Sequence, residues 1–155
     1  MKKLVALAVG AAVLASTSGA GFADKLEDAV KARQSYYQVV KFNAGPLFSM
    51  MKGSTDYDAD TAQMYADNLK TLTALKNGSM WPKGSSKTDL PGKTRALAAI
   101  WEDGSKIGEK GAAFRKAVAE LADAAGQGKD AMAEKVKALG ASCSACHKEY
   151  RAKEF

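Results

Sequence analysis

Two cysteines and one histidine stand together near the end of the sequence, as Cys143-Ser144-Ala145-Cys146-His147. They are the only cysteines and the only histidine in the chain. C-x-x-C-H is the spacing of a covalent c-type haem attachment site. Each thiol adds to one vinyl group of the porphyrin, giving two thioethers, and the adjacent histidine is then held beneath the iron. Cys143 and Cys146 are therefore read as the residues that bind one haem c per chain, and His147 as the metal ligand. Three other chemistries share parts of the pattern. Structural zinc is four-coordinate, and no further Cys or His remains to complete a set. A thioredoxin-like dithiol belongs to a βαβ context, for which the sequence offers no strands. A satisfied core histidine leaves the two cysteines beside it unexplained.

The motif needs a scaffold, and four stretches read as helices. Leu26, Val30, Arg33, Tyr37, Val40, Ala44, Leu47 and Met51 recur at alternating steps of four and three, one face of a long first helix. Pro46 falls inside it and predicts a kink or break near Asn43 to Gly45, with Gly53 ending the helix. Asp58 is a good N-cap for a second helix, with the face Ala62, Tyr65, Leu69, Leu72 and then Leu75 or Lys76, ending at Asn77-Gly78. The stretch from Gly78 to Lys93, rich in Gly, Ser, Lys and Pro, reads as a long loop, followed by a short helix around Ala96 to Trp101. A third helix is expected from Asp103 to Ala125, with the seam Ile107, Gly111, Phe114, Val118, Leu121 and Ala125. After the tight Gly126-Gln127-Gly128 connection, a fourth runs from Lys129 to Arg151. Its seam is Met132, Val136, Leu139, Cys143, Cys146 and Tyr150, so both cysteines face inward and His147 follows one turn after Cys143. The pattern predicts an all-α protein, an antiparallel four-helix bundle with one covalently attached haem c.

The chain has 155 residues, which suits one domain. Lys2 and Lys3, the apolar run Leu4 to Leu14 and the small residues up to Ala23 read as a secretory signal peptide over residues 1–23, cleaved after Ala20 or Ala23. Residues 24–155 then form a single bundle domain outside the cytoplasm. No later segment approaches the ~20 apolar residues of a membrane span, so no membrane insertion is expected after cleavage. Removing two lysines and no acid lowers the formal charge from +6 to +4. The charges are scattered, with no basic stripe or motif of a nucleic-acid binder. At most they steer an anionic redox partner.

With these pieces in place the chain resembles the cytochromes c′, the bundle-type class of c-type cytochromes. The resemblance rests on the C-terminal C-x-x-C-H followed by Tyr150-Arg151, on Glu27-Asp28-Ala29-Val30-Lys31-Ala32-Arg33-Gln34, and on Ile100-Trp101 before the third helix. The more familiar cytochrome c arrangement puts the attachment motif near the N-terminus. The resemblance implies a periplasmic electron carrier that binds nitric oxide and carbon monoxide, forms a homodimer through its first two helices and works with a periplasmic redox partner.

Three further residues are drawn toward the haem. Arg33 lies on the first helix's seam, where a buried cation calls for an anion. A haem propionate is the expected partner, as the resemblance also implies. The alternatives are snorkelling to water or pairing with a carboxylate. Tyr37 comes one turn later, at the place that faces the distal side of the iron in the family resembled, where low-spin relatives carry a methionine. A neutral phenol, titrating near ~10, is a poor ligand, which leaves an open sixth position behind an aromatic screen. The competing reading of Tyr37 is plain core packing. Arg151, one turn past His147, either favours the helix C-terminus or sets a positive field over the proximal face, and is counted among the cofactor-binding residues.

Met50 and Met51 lie about 20 Å along the helix from Tyr37, and Met132 about 22 Å from His147, too far to ligate. Met64 is off its helix's inner stripe, and only Met80, on the loop beside Trp81, could reach over the haem. The reading is a five-coordinate, high-spin, gas-binding electron carrier. Its rival is a six-coordinate, low-spin electron-transfer cytochrome with a Met distal ligand and no gas binding. No enzyme activity is expected, since a peroxidase-like reaction needs a distal acid–base pair and there is no second histidine.

Overall fold

The helical stretches fold as α1 (Ser18–Lys52), α2 (Ala59–Thr73), α3 (Ile107–Ala124) and α4 (Lys129–Tyr150), with 3-10 turns at Asn77–Met80 and Ala98–Ile100. The computed structural model describes residues 18–155, and side chains from residue 23. The charged start and apolar run of the expected signal peptide lie outside the described residues. Among those described, the only extended pairing is an isolated antiparallel bridge between Ala96 and Arg151. None of the described helices is long and apolar enough to cross a membrane.

Each helix packs on two neighbours, α1 on α2 and α4, and α3 on α2 and α4. Cross-links fix the directions. Tyr36 donates to the Leu72 carbonyl at 3.2 Å, while Asn68 donates to Asn43 at 2.9 Å, so α1 and α2 run antiparallel. Lys110 pairs with Glu149 at 2.9 Å and Lys135 with Glu120 at 3.6 Å, which makes α3 and α4 antiparallel as well. The core is Val40, Leu47, Met50, Ala62, Leu69, Val118, Leu121, Met132, Val136 and Leu139. Gly140 brings α4 close to α1, since a Cβ there would stand 3.2 Å from the Phe48 ring.

α1 does not break at Pro46. Proline removes the bond to the carbonyl four residues back. That residue is Phe42, 71% exposed, so water can serve its carbonyl, and packing on both sides carries the helix through. α1 ends as the sequence suggests. Gly53, at φ +75°, bonds back to Met50 O at 3.1 Å, and Ser54 N to Ser49 O at 3.1 Å, the paired bonds of a Schellman motif.

Asp58 caps α2, accepting from Thr61 N at 2.8 Å. The helix stops at Thr73, short of Asn77, because Leu75 is exposed and nothing rewards another turn. α3 starts at Ile107, later than Asp103. The Tyr150 hydroxyl accepts from Lys106 N at 2.9 Å and serves the new helix's N-terminus.

The buried line on α1 is Val30, Arg33, Tyr36, Val40, Asn43, Leu47 and Met50. Val30, Arg33, Val40 and Leu47 keep their expected places, but Tyr36, Asn43 and Met50 stand where Tyr37, Ala44 and Met51 were expected. A true helical period drifts against a strict four-three repeat, and Tyr36, not Tyr37, takes the core position.

Candidate haem site

α4 carries Cys143, Cys146 and His147 on its last two turns. The two thiols are free and half-buried. They border different apolar clusters. Cys143 packs against the main bundle core, and Cys146 against a smaller cluster of Ala96, Ile100 and Tyr150 with Trp81, Trp101 and Ile107. Burial pushes both thiols up from their ordinary range, with Lys110 partly opposing this at Cys146. They are therefore neutral at neutral pH. His147 stands at the surface. Loss of water on one side, then the charges of Arg151 and Arg95, hold its imidazole below its ordinary range. A neutral imidazole is the form that ligates a metal. Among the described residues no three His, Cys, Asp or Glu side chains gather as ligands for a metal ion.

α1 and the loop after α2 form the facing wall. Tyr37 is 40% exposed, and its ring stands edge-on to Tyr36 at 5.1 Å and to Trp81 at 6.3 Å. Its hydroxyl end is crowded. Burial, then the neighbouring Cys146, push the phenol up to about 12. Tyr37 thus lies within electrostatic reach of both thiols, although it is not the core residue. Trp81 completes the wall, 6.4 Å from Trp101, whose indole donates to the Trp81 carbonyl at 3.0 Å. Met80 packs against the main core.

Arg33 is buried, 4% exposed, as its seam position requires. Among the described residues its partners are neutral acceptors of the loop after α2, not a side-chain carboxylate. Its terminal nitrogens donate to Met80 O and Ser85 Oγ, both at 3.1 Å, and to Ser85 O at 3.1 Å and Thr94 Oγ1 at 3.0 Å. Its plane lies 4.5 Å from the centre of the Trp81 ring. Burial lowers its pKa, with Tyr37 opposing. Nor does it snorkel to water. Loop carbonyls and hydroxyls, invisible to helical periodicity, satisfy it instead.

Arg151 caps α4, its N–H returning to His147 O at 3.2 Å, and its own side chain is exposed. Sequence reasoning missed Arg95, which joins Arg151 in the positive field on His147 and donates to the carbonyls of Ala152 and Lys153. It also passed over Ser85 and Thr94 as acceptors and Trp81 as a wall. Composition marked Trp81 only as an aromatic in a loop.

The arrangement suits a flat, apolar, covalently held macrocycle. Two neutral thiols sit three residues apart between two apolar clusters, a neutral imidazole follows, and aromatic rings face them. The fold and site together define a haem-carrying four-helix bundle. The family model described as Cytochrome C' matches residues 28–151. A cytochrome c′ of Cereibacter sphaeroides is 39% identical over 143 residues, covering 92% of this chain and 95% of that protein. A solved cytochrome c′ from Rhodobacter sphaeroides superposes with a TM-score of 0.80 at 40% identity, covering 83% of this chain and 98% of the other. Two variants of the cytochrome c′ from Alcaligenes xylosoxidans are 32% identical, with TM-scores of 0.72 and 0.71, covering 83% of this chain and 97% of theirs. One is the ferrous form with bound nitric oxide, and the other has bound carbon monoxide. The chain belongs to the cytochrome c′ family, and its cofactor is one covalently bound haem c.

Proposed function

We propose that this protein is a periplasmic electron-transfer cytochrome that also binds nitric oxide and carbon monoxide at a five-coordinate iron. Cys143 and Cys146 would hold the haem through two thioethers and His147 would ligate its iron. When bound, the haem would supply redox and ligand-binding chemistry at that iron. The chain's own residues do the rest. Burial keeps the thiols from ionising, so they stay apart from charge chemistry until they are linked. Burial, then the charges of Arg151 and Arg95, disfavour the protonated form of His147. Tyr37 and Trp81, edge-on to each other at 6.3 Å, would stand over the open side of the site.

The observation that carries the reading is Tyr37. Its phenol, pushed up to about 12, stays protonated at any physiological pH and so remains a poor ligand. A small uncharged diatomic can slip past a ring edge, whereas larger or charged ligands cannot. The gas-bound relatives support the same reading. The pattern of residues 1–23 supports export. Val39 and Phe42, 46% and 71% exposed on α1, with Met64 exposed on α2, support a homodimer through these helices. A non-enzymatic role is supported by the lack of a second histidine for acid–base work.

The test is the optical spectrum of the ferrous protein with and without carbon monoxide. A high-spin spectrum that shifts on adding the gas is expected. A sharp low-spin spectrum indifferent to carbon monoxide refutes the reading and points to Met80 as a sixth ligand.

A further inference from the structure

Resting on the reading of His147 as the axial ligand, we infer that Arg95 is a positioning residue that fastens the C-terminal tail, residues 151–155, to the segment before α3, and through the tail holds the turn of α4 that carries His147. The stiffness of the ligand's mounting is then set by the tail.

Chain ends fray unless they are tied down, and the last turn of a helix leaves carbonyls without partners. His147 lies in the last turn of α4. Here that end is tied. The Tyr150 carbonyl accepts from Leu97 N at 3.0 Å, Arg151 pairs with Ala96 as an antiparallel bridge, and Ala152 N donates to Arg95 O at 2.8 Å. Arg151 N in turn donates to His147 O at 3.2 Å, so the bridge bears on the ligand's own backbone. Arg151 is extended, at φ −127° and ψ 122°, the geometry of a strand and not of a fraying turn.

Side chains close the fastening. Arg95 Nε donates to Ala152 O at 2.8 Å and Arg95 Nη2 to Lys153 O, while Lys87 Nζ donates to Glu154 O at 2.7 Å. Three successive tail carbonyls therefore meet a cation, and such bonds are stronger than neutral ones. Residue 95 alone holds the tail three times, once by its carbonyl and twice by its fork. Its own footing is firm, because Thr94 and Ala96 on either side are buried. Lys87 N donates to Ala96 O at 2.6 Å, which ties the second cation to the same strip. The Tyr150 hydroxyl, on Lys106 N at 2.9 Å, pins the helix end to the start of α3 but leaves the residues after it to Arg95 and Lys87. A lysine at position 95 has one nitrogen and cannot span two successive carbonyls as a planar fork does.

The experiment uses the holoprotein, with Arg95→Lys, Arg95→Gln, Ala152→Pro and the double variant Arg95→Gln with Ala152→Pro. Ala152→Pro deletes the N–H that meets Arg95 O, at a place where the extended Arg151 already suits a following proline. Amide hydrogen exchange is read by mass spectrometry in the ferric protein. The iron–histidine stretching band is read by resonance Raman in the ferrous protein without gas, and the reduction potential is measured beside it. Arg95→Lys and Arg95→Gln should each speed exchange over residues 147–155 by roughly threefold to tenfold, the range the loss of one such bond allows. Both should shift or broaden the iron–histidine band, with exchange in α1 and α2 unchanged. Ala152→Pro should act in the same direction, and the double variant should add little, because one fastening is already undone. If Arg95→Lys matches the wild type while Arg95→Gln shifts the potential, Arg95 acts through its charge and the inference is overturned. Faster exchange spread evenly over all four helices is a general loss of stability and also overturns it. So does faster exchange of the tail with the iron–histidine band unmoved. A ferrous wild-type protein without an iron–histidine band refutes the axial-ligand reading alone. Exchange over residues 147–152 then decides the fastening, supported if Arg95→Lys speeds it and overturned if not. Should the Arg95 variants give too little holoprotein, Lys87→Ala removes the other cation and is expected to move the same readouts in the same direction.

Discussion

Replacing Tyr37 by phenylalanine should abolish a loss of stability that sets in above pH 10. An ordinary phenol titrates near ~10, whereas Tyr37 in the folded protein is pushed up to about 12, chiefly by burial, the smaller part that comes from the free thiols being lost once they are thioethers. Between those values the unfolded chain gives up a proton that the folded chain keeps. The folded state binds more protons there, so its stability falls as pH rises. A shift of this size corresponds to ~2.7 kcal/mol if nothing screens it. The ring is 40% exposed, and water screens much of that, so about 1 kcal/mol is the expected loss by pH 12. Phenylalanine keeps the ring edge against Tyr36 and Trp81 and deletes only the titrating group. The assay is guanidinium unfolding of holoprotein, wild type and Tyr37→Phe, at pH 8 and at pH 11 to 12. The gap between the two proteins should move by about 1 kcal/mol in favour of phenylalanine across that window. Curves that fall in parallel would refute the argument. So would a phenolate absorption band assigned to Tyr37 below pH 10. Either result would mean that Tyr37 is an ordinary exposed tyrosine and not a neutral screen.

Cys143→Ala and Cys146→Ala should each leave one thioether and lower holoprotein yield, and the double variant should release its haem to acid–acetone. Retention of haem by the double variant on that extraction would remove these cysteines from the site. Gly140→Ala sets two small effects against each other. Helix propensity gains up to ~1 kcal/mol, but a Cβ 3.2 Å from Phe48 forces α1 and α4 apart at a cost of ~1–3 kcal/mol. A lower melting temperature is expected, and a higher one would mean the Phe48 ring gives way. Tyr57→Phe removes a hydroxyl that donates to Ala125 O at 2.9 Å and accepts from Gly128 N at 3.0 Å, so about 2 kcal/mol should be lost in denaturant unfolding. Phe42→Lys should shift the protein toward monomer in sedimentation velocity, because it puts a charge on the exposed apolar face of α1. An unchanged sedimentation coefficient would move the dimer contact elsewhere.

What the sequence made legible divides by the range of the interactions involved. The seams of α3 and α4 came through because burial repeats with the helix, and Val118, Leu121, Met132, Val136 and Leu139 are all in the core. The attachment motif was legible for a different reason. Its chemistry is set by covalent spacing within one helix turn, so no tertiary knowledge is needed. α1 was read one residue out at three positions, where Tyr36, Asn43 and Met50 are buried in place of Tyr37, Ala44 and Met51. Tyr36 and Tyr37 are chemically equivalent to a pattern search, and only the contact with α2, where Tyr36 reaches Leu72, separates them. The Pro46 break failed likewise, since a local rule met packing from two neighbouring helices.

The loop between α2 and α3 is where local reasoning stops, and the reason is physical. Its composition says turn, and turns are usually exposed, yet Ser85, Ser86 and Thr94 are among the most buried residues of the chain. Polar residues go inside only when their partners are specified; Ser86 finds Asp89 within the loop, whereas Ser85 and Thr94 meet Arg33, 52 residues before Ser85 and 61 before Thr94. The sequence showed one half of this arrangement, a cation on a buried seam that demanded a partner. It did not show the other half, because hydroxyls and carbonyls of a coil carry no period. A haem propionate was assigned to Arg33, and the chain adds four neutral acceptors of its own around the guanidinium. An unexplained buried charge and an unexplained buried loop in one chain are best read as each other's explanation.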